Sequence, residues 1–173
     1  LETREREELF VKQIVDAVQD DEFIVVYHNC GNSTIKTIDT IVTNDCPMYH
    51  FGNAIDMEEM MSHIPENLIA MGNVDPAGEF RNGTPESIYA RTKEVMEKCC
   101  KYKNFVISSG CDIPPMSPWE NISAFFKAVE DLHQLSGVAI PAAVDGLEHA
   151  EVRHKTVVAA ADMQKAVESY LGV

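Results

Sequence analysis

His28 and Cys30 close the apolar run Phe23-Ile24-Val25-Val26-Tyr27, and Cys111 closes a second run, Phe105-Val106-Ile107-Ser108-Ser109-Gly110. Residues two apart in a strand point to one face, so an imidazole and a thiol leave the first strand end side by side. A parallel neighbour would bring Cys111 to the same rim. One nitrogen and two sulfurs suit zinc, which binds His at about 2.0–2.1 Å and Cys at about 2.3 Å and reacts where a coordination position stays open. The competing reading is two strands that end in a buried histidine and two buried cysteines, and His-x-Cys is a weaker metal signal than a repeated Cys-x-x-Cys. Position favours the metal. Both places pass from a strand into a glycine-bearing loop, and parallel α/β folds gather their functional groups at the carboxyl ends of strands.

Gly72-Asn73-Val74-Asp75-Pro76 follows the run Asn67-Leu68-Ile69-Ala70-Met71 at the same rim. All but Val74 are turn formers, so a plain turn is one reading. Asn73 and Asp75 pointing into a pocket is the other. With Asn32 and Asp112, beside Cys30 and Cys111, they are the candidate substrate-binding residues. His50 falls within a strand and His63 at a helix end, and both read as structural. Cys99-Cys100 lack metal spacing and read as buried thiols. Met57, Met60 and Met61 have helical spacing and read as core filler.

These residues need elements to carry them. Leu9, Val11, Ile14, Val15 and Val18 recur at helical spacing, which predicts an amphipathic helix over 1–18. Strands then alternate with helices: strands over 23–27, 47–51, 67–72 and 104–109, helices over about 33–43, 56–62, 84–101 and 118–135. Alternation with short loops argues for a parallel sheet of right-handed βα units. Thr84-Pro85-Glu86 and Ser117-Pro118-Trp119-Glu120 each combine a capping residue with proline at the first helical position. Beyond Ser136 the stretch 137–146 is small and turn-prone, and 149–171 predicts a last helix.

The chain of 173 residues is 45% hydrophobic, enough for one domain with a real core. No apolar run approaches the roughly 20 residues that span a bilayer, and the charged start does not read as a signal peptide, which points to a cytoplasmic protein. Five cysteines, an odd number, then read as reduced thiols or ligands. A net charge of -14, from 14 Lys+Arg against 28 Asp+Glu, argues against nucleic acid or an anionic membrane as partner.

Five segments in order, His28-Asn29-Cys30-Gly31-Asn32, Gly72-Asn73-Val74-Asp75-Pro76, Gly83-Thr84-Pro85-Glu86, Ser109-Gly110-Cys111-Asp112-Ile113-Pro114-Pro115 and Pro118-Trp119-Glu120-Asn121-Ile122, resemble the uroporphyrinogen decarboxylase superfamily over residues 1–135. His-x-Cys and the later Gly-Cys-Asp are most similar to its zinc-dependent methylcobamide:thiol methyltransferases, the branch that includes methylcobamide:coenzyme M methyltransferase. The resemblance implies a (β/α)8 TIM barrel with His28, Cys30 and Cys111 as zinc ligands on its catalytic face. It also implies a methylcobamide carried by a partner corrinoid protein as methyl donor, and a small thiol such as coenzyme M as acceptor.

Family members run to roughly twice this length, and four strands are legible where a closed barrel needs eight. The chain therefore reads as a carboxyl-terminal half-barrel over 1–135 with an unassigned helical tail over 136–173. A half-barrel leaves two unpaired edges, so self-association or a separate amino-terminal half is expected. Three functions follow: methyl transfer from a corrinoid to a thiol, decarboxylation of a porphyrinogen or related acid without metal, or a non-enzymatic zinc-bearing or corrinoid-handling module.

Overall fold

The computed structural model describes residues 2–20 and 22–136. Contacts divide the chain into two compact units, 1–132 and 133–173, and the second lies outside the described residues except for the end of the last helix. The expected stretch 137–146 and the expected helix 149–171 also lie outside them.

Helix α1 (Glu2–Val18) is followed by strand β1 (Val26–Asn29), a short helix α2 (Ile38–Ile41) between two 3-10 turns, strand β2 (Met48–Phe51) and helix α3 (Met57–Met61). Strand β3 (Ile69–Val74) leads through a π-helical turn, Pro76–Arg81, into α4 (Pro85–Cys99), then β4 (Phe105–Ser109) and α5 (Trp119–Ser136). The strands form one parallel sheet in the order β1-β2-β3-β4, with His28 beside His50 and Val74 beside Ser109 in register. This is the four-stranded parallel α/β arrangement expected of part of a TIM barrel.

The core lies between the sheet and the helices. Tyr49, Phe51, Ala70 and Val74 pack with Met57, Met60, Met61, Phe80, Ile88, Val95 and Phe125, all buried. The methionines are core filler, as expected. Helix α4 starts as the sequence predicts: Thr84 accepts from the Ser87 amide at 3.2 Å while Ser87 Oγ accepts from the Thr84 amide at 3.0 Å, a reciprocal capping box. Tyr89 on α4 donates to Asp131 on α5 at 2.9 Å. The buried Asn121 of α5 donates to carbonyls of Phe80 and Gly83 at 3.1 and 2.9 Å, which pins α5 to the π-helical turn.

Three expectations are corrected. The first strand begins at Val26 rather than Phe23, because pairing starts where Val26 meets Met48 and no ladder lies on the other side of β1 among the described residues. The expected helix 33–43 is broken into 3-10, α and 3-10 turns. Thr34, Thr37 and Thr43 each turn a hydroxyl back onto the carbonyl three residues earlier, and Asp45 ends the segment at φ 62°. The apolar stripe of α1 is not a core stripe: Val15 is buried, but Leu9, Ile14 and Val18 stand exposed. The buried face carries Glu8 instead, whose carboxylate accepts from Tyr27 Oη at 3.2 Å and Asn44 Nδ2 at 2.8 Å.

Candidate functional site

The end of β1 is shaped by Asn29. Its side-chain oxygen accepts from the Gly31 amide at 2.9 Å and from Thr34 Oγ1 at 2.7 Å, a local turn that folds the chain back just after Cys30. The Gly52 amide after β2 donates to the Asn29 carbonyl at 3.0 Å. A Cβ on Gly52 would stand 2.6 Å from the Cys30 Cβ, so Cys30 rests directly on a residue with no side chain. At the end of β4, Gly110 donates to the Val74 carbonyl at 2.7 Å, and a Cβ there would stand 2.7 Å from the Asn53 amide nitrogen. Two glycines thus let the loops after β1, β2 and β4 close on one another.

Within this rim Cys111 Sγ lies 3.5 Å from His28 Nε2. Two donors on one tetrahedral zinc, at about 2.05 Å for nitrogen and 2.3 Å for sulfur, are separated by about 3.6 Å. The contact therefore has the spacing of two ligands of a single ion, as well as the nitrogen and sulfur chemistry zinc takes. Cys30, two residues after His28 in the chain, stands exposed. Among the described residues no three His, Cys, Asp or Glu side chains are gathered as a metal-binding set, so the contact joins two of the three expected ligands.

The expected substrate-binding residues divide. Asn32 and Asp112 are exposed in the loops beside Cys30 and Cys111. Asn73 is buried inside β3, where its amide donates to the carbonyls of Gly52 at 3.1 Å and Ile55 at 2.9 Å. Asp75 caps the π-helical turn by accepting from the amides of Ala77 and Gly78, both at 2.9 Å. The turn reading of 72–76 is thus corrected in part: β3 runs through Val74 before the chain turns.

Sequence reasoning passed over His50. Its ring lies 4.7 Å from that of His28, tilted by 38°, and its Nε2 is 2.6 Å from the Ser109 carbonyl oxygen. Burial lowers its pKa; the Ser109 carbonyl works against that, His28 adds to it, and Asp112 opposes it. The available signal was its register, since a residue directly opposite His28 on a neighbouring strand shares its face.

Comparison with known proteins gives the chain its relatives. Residues 4–132 match the family model described as uroporphyrinogen decarboxylase (URO-D). A methylcobamide:CoM methyltransferase, MtbA, of Methanosarcina mazei is 28% identical over 124 residues, 70% of this chain and 34% of the relative. A uroporphyrinogen decarboxylase of Prochlorococcus marinus is 38% identical over 81 residues, 47% of this chain and 22% of the relative. A solved methyltransferase from Methanosarcina mazei superposes with a TM-score of 0.58 at 23% identity over 73% of this chain and 35% of its own, which shows a shared fold. The matched part thus spans about a third of the MtbA sequence and of the solved chain. With three quarters of its length inside the family model, the chain belongs to the uroporphyrinogen decarboxylase family.

Proposed function

We propose that this chain is, or is part of, a zinc-dependent methyltransferase that moves a methyl group from a methylated corrinoid protein to a small thiol such as coenzyme M. The observation that carries the reading is the 3.5 Å contact between His28 Nε2 and Cys111 Sγ, which joins the ends of the two outer strands, β1 and β4, and not of neighbouring strands as expected, with Cys30 two residues beyond His28. The similarity to the M. mazei MtbA supports it.

A zinc ion held there supplies a Lewis acid that stabilises the thiol as its thiolate, the nucleophile for the methyl carried on cobalt. The chain's own residues prepare that chemistry. His28 offers a neutral nitrogen, and Cys111 and Cys30 offer thiolates whose two negative charges balance a divalent ion. To Asn32 and Asp112, exposed in the loops that follow Cys30 and Cys111, we assign the contact with the acceptor. Asn73 and Asp75 act through the backbone they hold. The loop after Cys111 exposes Ile113 and Met116, and Trp119 stands exposed at the start of α5, an apolar rim suited to a corrinoid-bearing partner. The exposed Val26 on β1 and Val106 on β4 mark the two outer strands of the sheet, to be covered by a second copy or by a separate amino-terminal half. A monomer in sedimentation at micromolar concentration would remove that assembly.

The experiment is zinc per chain by elemental analysis after mild chelator washing, for the wild type and for Cys111→Ser. About one zinc, lost in the variant, is the expected result; a folded wild type that takes none would sink the reading. The similarity to decarboxylases favours a second reading, metal-independent decarboxylation of a porphyrinogen or related acid. Activity that survives complete zinc removal would select it.

A further inference from the structure

His50 is outside the set His28, Cys30 and Cys111, yet it lies against His28 and is bonded to the strand end that precedes Cys111. On one side it is the register partner of His28, with the two rings 4.7 Å apart. On the other its Nε2 meets the Ser109 carbonyl oxygen at 2.6 Å. A carbonyl can only accept, so the proton sits on Nε2 and the imidazole donates. Ser109 in turn donates its hydroxyl to the Cys111 carbonyl at 2.7 Å. The side chain therefore reaches from β2 across β3 to the end of β4, the strand end from which Cys111 projects.

We propose that His50 is a positioning residue of this rim: it backs the His28 ring and clasps the strand end that carries Cys111, so that the two ligand atoms stand together before any ion arrives. Groups already held in place lose less freedom on binding, and outer partners that orient ligands commonly govern roughly 10- to 100-fold in metal affinity. The functional weight of the inference rests on the zinc reading above; the clasp itself involves only this chain's atoms.

The test uses the full chain and two variants. His50→Phe keeps the ring and removes the N–H; His50→Gln keeps a donor and removes the ring. Titration with Co2+, followed by its visible spectrum, is expected to show affinity roughly 10- to 100-fold lower in His50→Phe and partly restored in His50→Gln. Long-range proton–nitrogen spectra of the metal-free proteins are expected to show His28 signals displaced in His50→Phe. Wild-type affinity, or His28 signals that do not move, would overturn the proposal. If the wild type takes no Co2+, the His28 signals decide alone: moved, the clasp stands and the zinc reading fails; unmoved, both fail. Should His50→Phe not fold, His50→Gln is read by the same two measurements.

Discussion

The end of β3 and the ends of β1 and β4 share one rim and draw on the same small residues, Gly, Asn and Asp, but they are finished in opposite ways. At β3 the polar side chains are spent on the chain itself: Asn73 ties down the carbonyls of Gly52 and Ile55, and Asp75 caps the turn that follows. At β1 and β4 the glycines bring loops together while Cys30 stays exposed and Cys111 half-buried next to His28. Cysteines repeat the contrast. Cys46 and Cys99 are sealed in the core, and burial pushes each thiol up to about 11, whereas Cys30 and Cys111 stay within reach of a ligand. Residue type alone does not assign a role on this rim; what decides is whether the group's bonding capacity is already used.

The largest expected effect comes from breaking the closed side. Asn73→Ala leaves two carbonyls without their donor and is expected to cost on the order of 3 kcal/mol in urea unfolding; a change well under 1 kcal/mol would show that the closed side is not a brace. Gly52→Ala strikes both sides at once, since the added methyl runs into Cys30 while the Gly52 carbonyl serves Asn73. A loss of about 1–3 kcal/mol is expected, together with weaker zinc binding. Unchanged zinc affinity would separate the two sides.

The buried thiols give a smaller, pH-dependent effect. An unfolded chain releases their protons near 9.0, the folded chain only near 11, so the folded state holds more protons in between and stability falls as pH rises through that window. Replacing both Cys46 and Cys99 with Ala should flatten that slope in denaturation series run from pH 8 to pH 11. The smallest stability effect is expected at the open side. Cys111→Ser should shift the unfolding midpoint by less than about 0.5 kcal/mol while abolishing zinc retention. A large loss of stability without metal would make Cys111 a structural residue.

Much of the scaffold was legible because local signals agreed: the apolar runs gave all four strands, and Thr84 with Pro85 fixed the start of α4. The limits arose where a partner decides the outcome. Strand β1 starts late because a ladder needs a neighbour, and the stripe on α1 stands exposed because periodicity shows that a helix has an apolar side but not what lies against it. For the rim, the placement of His28 and Cys111 at strand ends followed from their apolar runs, although the contact joins the outer strands β1 and β4 and not neighbours. The commitment of Asn73 and the reach of His50 did not, since each depends on a backbone carbonyl supplied by another strand or loop, and carbonyls leave no trace in the spacing of side chains.

The strand order also bears on how the sheet can be made. Among the described residues each strand pairs only with its sequence neighbours in the sheet, and all run the same way. During synthesis each strand after β1 therefore emerges to find a ladder partner already present, and β1 itself waits only for the next strand, β2. The unit can be built outward from β1 one βα step at a time, with short loop closures at each step in place of a single long one.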